Sequence, residues 1–178
     1  MAFYPKNVSD LDHLLETEKV AQRSLGREED RLIQTVLASS VAVPSEFVGL
    51  TEREIRNKFD AYRLEIEYAS SLVLLAAIEA ILRQDFINNR RKKGKFRKLY
   101  SQKNNFVRLE ELIHEWRLVA IHDAIPNLKR LMDEFGDALQ LRNWLAHGRT
   151  WDVVTNRKYS PTLIHKLGSD IAFCLSAN

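Results

Sequence analysis

The chain has 178 residues, a net charge of +3, 45% hydrophobic and 29% charged residues, with few glycines (six) and prolines (four). That composition excludes a disordered chain and favours one domain of long helices over a many-turned sheet. One cysteine, Cys174, excludes an internal disulfide and fits a reducing, cytoplasmic compartment.

No apolar run behind a basic start is seen at residues 1–9, so no signal peptide is expected. The most apolar stretch, 70–82, is too short to span a bilayer and contains Glu79, so no membrane association is expected. Ser9 with Asp12 predicts a first helix start. Its apolar positions are Leu11, Leu14, Leu15 and Val20 to Leu25, with Gly26 as its C-cap. A second helix is expected from about Glu28 to Val43, with Leu32, Ile33, Val36, Leu37 and Val41 inward, ended by Pro44.

Thr51 with Glu54 forms the pattern of a capping box and opens the longest helical period in the chain. It runs through Ile55, Phe59, Tyr62, Ile66, Ala69, Val73, Ala76 and Ala80 to about Asn88. Its second half is apolar almost all round, which predicts burial at the domain centre. Residues 88–105 read as a polar, basic connector. Arg90, Arg91, Lys92, Lys93, Lys95, Arg97 and Lys98 place seven cations in nine residues, and without these seven the chain would carry −4.

A helix over about 106–120 follows, with Leu109, Leu112, Ile113, Trp116 and Val119 inward. Pro126 at a first helical position restarts helix, and Gly136 predicts an interruption with Asp137 as a new cap. The next segment, 138–147, ends at Gly148. The only strand-like stretch is 151–159, and Ser160-Pro161 opens a last helix to about Leu175. The expected fold is therefore all-α. Cys174, among Ile171, Ala172, Phe173 and Leu175, reads as core filler.

The segment Leu141-Arg142-Asn143-Trp144-Leu145-Ala146-His147-Gly148-Arg149 stands out. An Arg-Asn followed after three residues by His-Gly, late in an all-α chain and after a long apolar helix, resembles the Arg-x4–6-His signature of HEPN domains. The stretch Glu65 to Phe86, with Ser70-Ser71-Leu72 and Ala77-Ile78-Glu79-Ala80, resembles that family's central helix. The resemblance covers roughly Glu52 to Leu175. It implies a single HEPN-like bundle with a core over 51–176 and a helical extension over 1–50. Many such domains are ribonucleases of toxin–antitoxin and phage-defence systems, so the implied activity is metal-independent RNA cleavage without a cofactor.

The chemistry fits the residue types. RNA carries its own nucleophile, the 2′-OH, so cleavage needs a base for its proton and cationic donors for the charge that grows on the phosphate. His147 suits the first role because its ordinary pKa lies near neutrality. Arg142 suits the second because its planar fork of donors matches phosphate. Asn143 is the positioning group, orienting a phosphate or holding the histidine tautomer. On a regular helix Arg142 and His147 point about 140° apart, which favours a homodimer with a composite cleft, Trp144 and Leu145 offering apolar surface beside it.

Glu79 is the only charge between Glu67 and Arg83. A buried carboxylate needs a partner, and Arg142 or His147 is the candidate; the alternative is a solvated position or pairing with Arg83. Arg117 and His122 also satisfy the spacing, but lack the Asn and the Gly and precede a proline break. Arg91, Lys92, Lys93, Lys95, Arg97, Lys98 and Arg149 are the candidate RNA-binding cations, with Phe96 and Tyr100 positioned to stack on bases. The same run could be a solvated connector or a dock for an acidic antitoxin or defence-system partner. His13, His114 and His165 lack the companions a metal site requires, so no metal is expected. Two further readings remain: a catalytically inactive HEPN interaction or sensing module, and an RNA-binding helical adaptor.

Overall fold

A computed structural model describes residues 8–38, 43–89, 94–103, 107–123, 125, 127–147 and 159–176. Six α-helices account for most of them: α1 (Val8–Leu37), α2 (Glu52–Asn89), α3 (Gly94–Lys103), α4 (Leu109–His122), α5 (Leu128–Ala146) and α6 (Pro161–Ser176), with one 3-10 turn at Ser45–Phe47 before α2. No strand occurs among the described residues, and the chain is all-α there. The strand-like residues 151–158 lie outside them. No helix among the described residues is long and apolar enough to cross a membrane.

The main core collects one face from each helix: Leu11 of α1, Leu74, Ile78 and Leu82 of α2, Phe96 of α3, Leu112 and Trp116 of α4, Met132 and Phe135 of α5, and Ile164 and Ile171 of α6. A smaller cluster of Leu32, Ile33, Phe47, Ile55 and Phe59 joins the far half of α1 to the first turns of α2. Beside it Glu29, only 5% exposed, is held by Arg63 and, at 3.4 Å, by Arg56. A buried carboxylate is tolerable here because cationic donors reach both its oxygens.

The capping box that starts α2 is formed in both directions. The Thr51 N–H donates to Glu54 Oε2 at 2.8 Å, and the Glu54 N–H donates to Thr51 Oγ1 at 3.3 Å. The Thr51 N–H, together with the Thr51 hydroxyl that donates to the same oxygen at 2.7 Å, holds the Glu54 carboxyl below its ordinary range.

Four expectations from the sequence change. Gly26 does not cap a helix: α1, 30 residues long, runs straight through it. A Cβ there would approach only Arg63 Nη2, at 4.0 Å, so the glycine is not forced by crowding. Gly136 and Asp137 do not break α5 either. A Cβ at Gly136 would stand 2.9 Å from Arg117 Nη2, so this glycine leaves room for an arginine that lies across the helix. Residues 94–103 are helix rather than connector, because Phe96 is drawn fully into the core, edge-on to Phe86 (5.5 Å) and Trp116 (4.6 Å). Finally, the second half of α2 is not buried all round: Ala69, Val73 and Ala76 are exposed, Val73 at 47%.

α6 packs closely on α2 and α1 at Gly168. A Cβ at Gly168 would come within 2.8 Å of Ile78 Cγ1 and 3.0 Å of Leu11 Cδ1. The pair α4–α5 is tied by Arg117, whose Nε lies 2.7 Å from Asp133 Oδ1. α5 itself begins at Leu128, after Asn127 in the left-handed region (φ 66°), which asparagine tolerates better than most residues; Pro126 is outside the described residues.

Candidate functional site

The last turns of α5 and the middle of α2 build the site. α5 carries Leu139 and Leu141 inward, so Arg142, one residue on, emerges at the edge of its buried face. On α2, Glu79 stands one position beyond the fully buried Ile78 and faces the same edge. The two meet there, with Arg142 Nη2 donating to Glu79 Oε2 at 3.4 Å. Arg83, one turn further along α2, donates from Nε to the other oxygen, Glu79 Oε1, at 2.8 Å. Of the partners open in the sequence, Arg142, His147 and Arg83, the structure brings Arg142 and Arg83 to the carboxylate, one to each oxygen.

Arg83 is anchored again through Nη1, which donates to the Val107 carbonyl at 3.0 Å. Arg142 is held more loosely. Its Nη1 donates to Asn143 Oδ1 at 3.2 Å, both of its bonds are long for charge-assisted ones, and its side chain is 37% exposed. It therefore keeps donors turned to solvent. Two residues on, Trp144 packs edge-on against Tyr68 of α2 at 5.5 Å, so the end of α5 lies across α2 between Tyr68 and Glu79. Trp144 and Leu145 are half-buried against the main core and offer less free surface than expected.

His147 is the C-cap of α5, exposed, with φ −98° and ψ 19°, and its N–H donates to the Asn143 carbonyl at 3.0 Å. The regular helix stops before it, so its side-chain direction is no longer dictated by that of Arg142. Asn143 bridges the two residues: its side chain takes Arg142 and its backbone takes His147. Gly148 and Arg149 lie outside the described residues.

The rival pair separates. Arg117 serves the α4–α5 junction through Asp133 and donates to the Met132 carbonyl at 3.4 Å, while His122 stands exposed with Nδ1 2.7 Å from Asp123. Of the candidate RNA-binding cations, Arg97 and Lys98 are exposed on α3. Arg91, Lys92 and Lys93, and the side chain of Lys95, are outside the described residues. Phe96 is buried and Tyr100 packs on the core, so the core has claimed the stacking aromatics.

The sequence pointed to Arg142, Asn143, His147 and Glu79 but missed Tyr68, whose only signal was an aromatic on the edge of α2. Among the described residues no group of three or more His, Cys, Asp or Glu side chains is placed to hold a metal ion. No protein-family model, curated protein or solved structure matches the chain.

Proposed function

We propose that the chain is a metal-independent endoribonuclease of HEPN type, acting in a toxin–antitoxin or phage-defence setting. The observation that carries this reading is the cluster of Glu79, Arg142 and Asn143 with His147 at the helix end. A guanidinium held from behind by a carboxylate, with donors left to solvent, is disposed to receive a phosphate.

In this reading the RNA 2′-oxygen attacks the adjacent phosphorus, His147 takes the 2′ proton, and Arg142 stabilises the charge on the non-bridging oxygens. The bond from phosphorus to the 5′-oxygen breaks, the leaving oxygen takes a proton, and a 2′,3′-cyclic phosphate remains. One histidine cannot stand on both sides of the phosphorus at once, so the acid for the leaving oxygen comes from the same residue of a second copy in a homodimer. Arg97, Lys98 and the neighbouring cations would track the backbone of the RNA. The half-buried single Cys174 fits a cytoplasmic setting.

One observation favours a second reading, a catalytically silent HEPN interaction module: Arg142 already has an acidic partner in Glu79. The deciding experiment is incubation of purified protein with single-stranded and hairpin RNA in excess EDTA, with product ends mapped. The ribonuclease reading expects cleavage with 2′,3′-cyclic phosphate and 5′-hydroxyl ends. Intact RNA from clean, folded protein would hand the chain to the silent module.

A further inference from the structure

Where α5 crosses α2, one carboxylate, Glu79, is shared by two guanidinium groups, Arg83 and Arg142, and the trio sums to a net positive charge. The carboxylate side chain is 18% exposed and the two arginines 38% and 37%. Arg83 is fixed at both ends. Its Nε and Nη2 both lie 2.8 Å from Glu79 Oε1, and its Nη1 donates to the carbonyl of the buried Val107 at 3.0 Å. Arg142 is held more weakly, meeting Glu79 Oε2 at 3.4 Å and Asn143 Oδ1 at 3.2 Å.

We infer that Arg83 is a positioning residue that keeps Arg142 open to a phosphate by occupying one oxygen of Glu79. A carboxylate and a guanidinium left to themselves close into a bidentate pair, both oxygens facing two parallel N–H groups. Such a pair would be neutral, and it would engage on Glu79 the same fork of donors that a phosphate needs. With two Arg83 donors on Oε1, Glu79 offers Arg142 a single oxygen at long range. That contact orients the side chain without saturating it. The charge works in the same direction. A phosphate arriving at Arg142 meets a positive trio, whereas without Arg83 it would meet a neutral pair and press against a mostly buried carboxylate, which is costly without a cation of its own. Arg83 is not itself the receiver, because its Nε, Nη1 and Nη2 each have an acceptor already.

This role rests on the reading of Arg142 as the phosphate-binding group and not on cleavage of RNA. It also reduces the weight of Glu79 as an acidic partner that would silence Arg142, because that partner is shared.

The test is a titration of inorganic phosphate into the full chain at constant ionic strength, read by NMR from the amide signals of Asn143 and His147. Arg142→Ala should abolish the response. Arg83→Met, or Arg83→Gln should the former not fold, should raise the phosphate Kd about tenfold. Arg83→Lys, which restores a cation for Glu79, should stay within about threefold of wild type. In a Glu79→Gln background no carboxylate remains to close on Arg142, so Arg83→Met should change Kd by less than about twofold. An Arg83 that only braced α2 would lower the melting temperature and leave the Kd of the folded protein unmoved. That result overturns the inference, as does equal weakening in both backgrounds or a wild-type chain without an Arg142-dependent response. If phosphate behaves as expected and RNA stays intact, the ribonuclease reading alone fails; if RNA is cut and the phosphate Kd ignores Arg83, the role of Arg83 alone fails.

Discussion

Glu79 and Arg142 are 63 residues apart in the chain and 3.4 Å apart in space, with the carboxylate's other oxygen taken by Arg83. Removing the carboxylate leaves two guanidinium groups facing each other across the α2–α5 edge. Glu79→Ala should therefore cost about 1–2 kcal/mol, a melting temperature lower by roughly 2–8 °C. Glu79→Gln keeps an acceptor and should cost less. If Glu79 positions Arg142 for phosphate, both variants should also raise the KM for RNA more than they lower kcat. A melting temperature unchanged by Glu79→Ala would mean that the pair is only a surface contact.

His147 and Arg142 carry the proposed chemistry and little of the core. His147→Ala should lower RNA cleavage by roughly 10²–10⁴, and Arg142→Ala should come close to that, with both proteins still folded by circular dichroism. His122→Ala should cleave as wild type. RNA with a 2′-O-methyl group at the scissile nucleotide should resist cleavage. Equal rates for His147→Ala and wild type would remove the mechanism.

The exposed cations of α3 offer a separate test. Each phosphate contact releases counterions, so RNA affinity should fall as salt rises, with a log–log slope of about −0.7 per contact on single strands. Replacing Arg97 and Lys98 by Gln should flatten that slope by one to two contacts. Phe96→Leu should act instead on stability, because Phe96 is in the core. An unchanged slope would return the basic run to the role of a solvated surface or a dock for an acidic protein.

Gly26, Gly136 and Gly168, each inside a helix, should respond differently to alanine. Gly168→Ala forces a methyl to within 2.8 Å of the buried Ile78, and overpacking of about 1–3 kcal/mol outweighs a helix-propensity gain of about 1 kcal/mol. Gly26→Ala meets nothing closer than 4.0 Å and should gain most of that propensity term. Gly136→Ala displaces only the end of the Arg117 side chain and should fall near zero. Thermal melts of the three variants check the order.

Helical periodicity in the sequence located α2, α4 and α6 to within a few residues, because each carries apolar side chains at helical spacing; the Thr51–Glu54 capping box marks the start of α2 and Ser160-Pro161 that of α6. It failed where one residue type has two uses. Gly26 and Gly136 look like stops, but along α1 and α5 the neighbouring turns are held by packing to α2 and α4, which outweighs the propensity cost of about 1 kcal/mol. Phe96 amid seven cations reads as a base-stacking residue, and only the three-dimensional proximity of Phe86 and Trp116 makes it core. The candidate site was legible in part: the motif named Arg142, Asn143 and His147, and the isolation of Glu79 in an apolar run demanded a partner. That the carboxylate would take both arginines depends on how α5 crosses α2, which no local pattern encodes.

The two apolar clusters share the same pair of rods, since α1 and α2 each run without a break from one cluster into the other. The smaller, built on five buried side chains around Phe47 and Phe59, has little area to resist opening. Its helices are nevertheless extensions of segments locked among Leu11, Ile78 and Leu82, so a loosened end rewinds from a template already in place. Amide protons at 29–37 and 52–60 should consequently exchange with deuterium well before those at 74–82, by fraying inward from the Pro44 end rather than by detachment of the hairpin. The molecule would then breathe at one tip while the turns that carry Glu79 and Arg142 keep their protons.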